Sequence, residues 1–104
     1  WFAGKLQNWE LATYELDEIR AGLEKSADLY RGIPVELVLN TADPIVAITK
    51  AIEAKDTATF AKAYGDLTTA CNACHVGIGR GFIVMQVPIA SPFTDQSFAP
   101  HSAP

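Results

Sequence analysis

Between Trp9 and Tyr30, apolar residues return at steps of three and four, at Trp9, Ala12, Leu16, Ile19, Leu23, Ala27 and Tyr30. Glu10, Asp17, Glu18, Arg20, Glu24, Lys25 and Asp28 fall mainly on the opposite side. That period belongs to a helix with one buried and one solvated face, so a long amphipathic helix is predicted from Trp9 to about Tyr30, with Asn8 as its N-cap. The charges between Glu15 and Lys25 read as its solvated face. Gly32 and Pro34 then close it. Upstream, Trp1 to Gln7 is apolar and helical in pattern but opens without a capping residue, and so reads as the end of a helix that begins earlier.

The apolar segment Val35 to Leu39 is short enough to be a single helical turn lying over the core. Asp43 followed by Pro44 is a start signal, an N-cap before proline at the first helical position. Ile45, Ile48 and Ile52 then form the inner face of a short helix ending near Ala54, and Asp56 is placed to cap the next. In that next helix Phe60, Tyr64, Leu67, Cys71 and Cys74 step by four, three, four and three, which puts both cysteines on the stripe assigned to the interior. Gly77, Gly79 and Gly81 end it in a turn. A glycine-rich loop that follows a helix rather than opening one is a poor phosphate cradle, so nucleotide binding is discounted. Phe82 to Val87 reads as a short extended run. The remainder, with Pro88, Pro92, Pro100 and Pro104 around Phe93 and Phe98, reads as a tail that wraps over the domain so that neither phenylalanine is left in water. The prediction is all-α: an up-and-down bundle of three helices plus an N-terminal fragment, in one domain with helices over 1–81 and an extended tail over 82–104.

The chemistry is concentrated at Cys71-Asn72-Ala73-Cys74-His75. Two thiols three positions apart with a histidine directly after the second form the attachment signature of a c-type haem. On a helix both thiols share a face, so each can form a thioether to one of the two vinyl groups on one porphyrin edge. His75 follows by roughly 100° of rotation, which can carry its imidazole under the ring centre as the proximal iron ligand. Ala63 and Ala70 would let a flat ring come close. Tyr64 is a candidate for stacking on the ring and also an ordinary core position, and Arg80 is a candidate partner for a haem propionate and also an ordinary exposed arginine.

Three other readings of the two cysteines stay open at this point. A structural zinc ion would need four ligands, for which Cys71, Cys74, His75 and the remote His101 are the only cysteines and histidines, and adjacent Cys74 and His75 make a poor tetrahedral pair. A redox dithiol belongs on a strand-to-helix turn, and no strand-helix alternation precedes Cys71. A disulfide across this spacing is strained in a regular helix.

Composition changes the picture in three places. A chain of 104 residues buries roughly two thirds of its unfolded surface, so one covalent haem would be part of the core of so small a domain. A net charge of −4 argues against nucleic acid as a partner and suits a basic redox protein. No apolar run approaches the roughly 20 residues of a membrane span, and the chain opens at Trp1 rather than methionine, as expected where an upstream segment has been removed or is not included in this sequence.

A haem motif near the end of a set of amphipathic helices resembles the class II c-type cytochromes, the cytochrome c prime group of four-helix bundles. The stretches Trp9 to Ile19 and Thr68 to Phe98, with Phe82-Ile83-Val84 and Pro92-Phe93-Thr94-Asp95-Gln96-Ser97-Phe98, are similar to a group of uncharacterised proteobacterial cytochrome c proteins. The resemblance implies thioether anchorage at Cys71 and Cys74, proximal ligation by His75 and a periplasmic location. The chain departs from the bundle's four helices and adds a long tail after the motif. An incomplete bundle would leave an apolar face that a homodimer could cover.

The far side of the iron decides the role. Met85, ten residues after His75, is the only methionine and a candidate distal ligand that would raise the reduction potential; His101 is a second candidate. With no acid-base or nucleophilic constellation beside the motif, the expectation is a periplasmic one-electron carrier that is not an enzyme. The alternative is binding or sensing of nitric oxide or carbon monoxide at an open distal site. A peroxidase would need a distal acid-base residue, for which only His101 is available.

Overall fold

A computed structural model describes residues 1–101 as an all-α bundle, α1 (Phe2–Lys5), α2 (Trp9–Leu29), α3 (Val35–Leu39), α4 (Ala42–Ala54) and α5 (Thr57–Gly77). The two long helices and α4 are the three predicted from periodicity, and α1 is the predicted fragment. The Val35–Leu39 segment forms a helical turn of its own. α4 packs mainly on α5 and also on α2, α1 bridges α2 and α5, and α3 lies on α5 and α4.

Two starts are made as predicted. Asn8 Oδ1 accepts from Leu11 N–H at 3.2 Å, and Asp56 Oδ1 accepts from Thr59 N–H at 3.1 Å, each satisfying a backbone donor that the helix cannot. The third start differs. α4 begins at Ala42 with Thr41 as N-cap, and Asp43 lies in its first turn instead of capping it. Asn40 and Thr41 already have right-handed helical backbone, so the chain runs from α3 into α4 almost without a break. The Thr41 hydroxyl donates backwards to the Val38 carbonyl at 2.7 Å. Pro44 is still accommodated, because a first-turn residue has no intrahelical partner for its N–H.

Asp56 titrates with a definite sign. The Thr59 hydroxyl, then the Thr59 backbone N–H, hold its carboxyl below the ordinary range. A depressed folded-state pKa contributes stability above the ordinary carboxyl pKa of about 3.9, and that contribution is lost as pH falls through the lower, folded value. Asp56→Asn keeps an acceptor for Thr59 but cannot titrate. The expected result is a shallower acid-side loss of stability than the parent shows, read from urea unfolding followed across that pH range.

The packed core comprises Ala3, Ala12, Leu16, Ile45, Ile48, Ala51, Ile52, Phe60, Ala63 and Leu67. The three isoleucines of α4 lie between the long helices, each burial stabilising by roughly 1.5–3 kcal/mol. Along α2 the predicted stripe is buried only as far as Leu16; Leu23 and Ala27 are half-buried and Tyr30 is exposed. Along α5 the stripe is buried to Leu67, and Cys71 and Cys74 are half-buried. Both long helices therefore leave the core toward the same end with apolar positions still uncovered.

The tail doubles back along the domain. Met85 pairs with Asn72 near the end of α5, while at the other end Asn8 Nδ2 donates to the Ala99 carbonyl at 3.2 Å and the Phe2 and Phe98 rings lie 5.3 Å apart. Phe98 is half-buried by this contact, whereas Phe93, expected to be covered, is 60% exposed. Phe82 to Val87 forms no strand among the described residues. No helix among the described residues is long and apolar enough to cross a membrane.

Candidate functional site

The uncovered ends of the two stripes enclose an open, mostly apolar groove of about 640 Å³. One wall is α2, through Leu23, Ser26 and Ala27, continued by Tyr30; another is α3 and its flanks, through Ile33, Leu37 and Val38. The wall facing them is α5, through Cys71, Cys74 and His75, and the turn after it adds Ile78, Arg80 and Ile83. The volume falls within the roughly 300–1,000 Å³ typical of small-molecule and cofactor sites.

Local backbone chemistry sets the groove's open end. α5 finishes in a Schellman motif: Gly79 N–H donates to the Val76 carbonyl and Arg80 N–H to the His75 carbonyl, at 3.1 and 2.7 Å. Gly79 occupies the left-handed position this turn requires, at φ 75°. Ile83 N–H then donates to the Arg80 carbonyl at 2.8 Å, turning the chain back beside the last turn of α5.

That reversal determines the state of His75. Its Nδ1 lies 2.9 Å from the Ile83 carbonyl oxygen. A carbonyl only accepts, so Nδ1 carries the proton and donates. In the neutral ring Nε2 then keeps its lone pair, as a histidine poised to ligate a metal requires. Fixing one ring nitrogen on a backbone carbonyl also fixes the ring's orientation.

Both cysteines are free thiols on one continuous helix. Burial, then the neighbouring Cys74, push the Cys71 thiol above its ordinary pKa, so it is held neutral in an apolar setting rather than activated as a thiolate. A redox dithiol needs the opposite shift. Among the described residues no three His, Cys, Asp or Glu side chains converge to hold a metal ion, and His101 is far from the motif in partnership: its Nε2 is 2.8 Å from Ser97 Oγ, in a separate cleft with Asn8, Trp9 and Tyr14. The four residues a zinc site would need are thus not assembled.

The donor set suits a haem: two free thiols on one helix face, one imidazole with a free Nε2, and an apolar groove for the ring. Arg80 lines the same groove at its rim and makes no ion pair among the described residues, which leaves its guanidinium available for a propionate.

Two candidate residues fall elsewhere. Tyr64 does not line the groove. It packs in the aromatic cluster over α1, its ring 5.2 Å from Trp1 and 6.2 Å from Phe60, and burial raises its phenol pKa. Its place on the α5 stripe is an ordinary core place, nearly two turns before Cys71. Met85 does not line the groove either. Its backbone is held by the Asn72 side chain and its own side chain is half exposed, outside the walls described above.

The functional groups that sequence reading missed are Asn72 and the Ile83 carbonyl. Neither carries a signal of its own, since one is a spacer in the motif and the other is backbone. The α2 wall was legible, because Leu23, Ala27 and Tyr30 continue a stripe that the helix needs only in part for its core. The chain matches no family model, no curated protein and no solved structure.

Proposed function

We propose that this chain is a c-type haem protein that carries one haem on Cys71 and Cys74, with His75 as proximal ligand, and passes single electrons. The observation that carries the reading is the convergence of both uncovered apolar stripes on a groove holding both thiols and an imidazole whose Nε2 is left free by Ile83. Each thioether forms by addition of the S–H across a vinyl double bond, sulfur to one carbon and hydrogen to the other, so no oxidant is needed. A bound haem would supply the one-electron chemistry at its iron. Leu23, Ala27, Ile33, Leu37 and Val38 would cover its faces from water, and Arg80 would neutralise a propionate. The net charge of −4 favours a basic protein as electron partner, and attachment chemistry of this kind goes with a periplasmic setting.

A second reading, diatomic gas binding, is favoured by one observation: neither Met85 nor His101 lines the groove. Once Cys71 and Cys74 are committed to the vinyl groups, Tyr30, 64% exposed at the groove's edge, is the one lining residue besides His75 of a type that ligates haem iron in other proteins. An optical redox titration of the haem-loaded protein, followed by addition of carbon monoxide to the reduced form, separates the two. Electron transfer predicts a single reversible one-electron wave with fast exchange to a basic redox protein. Tight uptake of carbon monoxide with sluggish electron exchange would replace it with gas binding, and a protein that acquires no haem would overturn both.

A further inference from the structure

Asn72 occupies the first spacer position between the two cysteines, where only helical geometry is required of it. Its side chain nevertheless makes two hydrogen bonds to a single residue of the tail. Asn72 Nδ2 donates to the Met85 carbonyl at 2.8 Å, and Met85 N–H donates to Asn72 Oδ1 at 2.7 Å. A carboxamide offers the same donor and acceptor as a peptide unit, so this pair imitates one rung of a strand ladder. Asn72 and His75, three apart on α5, face the same way. Ile83 and Met85, two apart in a non-helical segment, both turn backbone groups toward that face.

The segment between them has little else to hold it. Gly81 to Gln86 is exposed at every position, Phe82 and Val84 at 79% and 72%. Apolar burial therefore does not fix where the Ile83 carbonyl sits. The hydrogen bonds that do are Ile83 N–H to Arg80 on one side and the two Asn72–Met85 bonds on the other.

We propose that Asn72 is a positioning residue for His75: by gripping the Met85 backbone it holds the Ile83 carbonyl against Nδ1–H, and so sets the tautomer and orientation of the proximal imidazole. The inference rests on the haem reading for its functional consequence, though its structural content does not. A firmly held acceptor on Nδ1–H pushes electron density to Nε2, which stabilises the oxidised iron and lowers the reduction potential. The Met85 side chain has no part in this; only its backbone does.

The test compares Asn72→Ala, Met85→Ala and Met85→Pro in the full chain. Nitrogen NMR of His75 in the haem-free chain, at mildly alkaline pH where imidazoles are neutral, reads the tautomer directly. The parent and Met85→Ala should hold the Nδ1–H form, and Asn72→Ala should move toward the Nε2–H form that free imidazole side chains prefer in water. In the haem-loaded protein Asn72→Ala should raise the reduction potential and Met85→Ala should leave it unchanged. Met85→Pro, which lacks the N–H that Asn72 receives, should shift both readouts the same way as Asn72→Ala, with little added effect in the double variant. An unchanged tautomer in Asn72→Ala would overturn the proposal. So would a potential shift in Met85→Ala equal to that of Asn72→Ala, because the effect would then belong to the thioether side chain. Failure of the parent to take up haem would count against the haem reading alone, since the tautomer is read without it.

Discussion

His75→Ala is expected to abolish the native haem spectrum while leaving the haem on the chain. The two roles separate because the proposed haem would rest on different residues: Cys71 and Cys74 would hold the porphyrin edge covalently, and among the groove's side chains His75 would offer the nitrogen to the iron. Alanine at 75 removes that ligand, and the Ile83 carbonyl loses the N–H that now faces it at 2.9 Å. The space left is the size of an imidazole, so added free imidazole should restore a spectrum close to the parent's. The measurement is the visible spectrum of the denatured and native variant, with and without imidazole. The companion double variant, Cys71→Ala with Cys74→Ala, should reverse the pattern: any haem it binds through His75 should be extracted by acidified organic solvent, whereas the parent's should not. A His75→Ala protein with an unaltered native spectrum would remove His75 from the iron.

The second large effect is expected at Phe60, far from the groove. Its side chain is 3% exposed, with the rings of Trp1, Trp9 and Tyr64 at 6.2, 6.0 and 6.2 Å. Beneath it α1 crosses at Gly4, where a β-carbon would collide with the Phe60 ring. Phe60 thus ties the N-terminal fragment to α5, and a smaller side chain would leave a cavity that Gly4 cannot help fill. Phe60→Ala is expected to cost about 3–5 kcal/mol. Against a total of roughly 5–15 kcal/mol for a small domain, that is a large part of the stability. Urea unfolding followed by helical circular dichroism should show the midpoint fall steeply, and a loss under 1 kcal/mol would mean that α1 does not rest on this ring as described.

Much of the bundle was readable because its helices announce themselves twice, by stripe and by cap. Asn8 and Asp56 do what short polar residues before an apolar period commonly do. Asp43-Pro44 misled by two residues, because the signal for a helix start assumes that extended chain precedes it, and here α3 hands on helical backbone through Asn40 and Thr41. The motif Cys71, Cys74 and His75 stood out by its spacing, and the apolar side of α5 that the two cysteines share was legible from the stripe. Tyr64 was ambiguous for a physical reason: one stripe serves both core and groove, and sequence does not say where along it the core ends. Met85 and Asn72 were opaque because their meeting depends on the turn after Gly79, and a chain reversal built from backbone hydrogen bonds leaves almost no trace in side-chain pattern.

The central claim is covalent attachment of haem at Cys71 and Cys74, and the intact mass of the denatured chain tests it most directly. The protein is produced in a host that matures c-type cytochromes, unfolded, and stripped of everything not covalently bound. The account predicts the mass of the chain plus one haem, with both thiols consumed and no alkylation at either cysteine. A chain of unmodified mass, with Cys71 and Cys74 both open to alkylation after reduction, would contradict it.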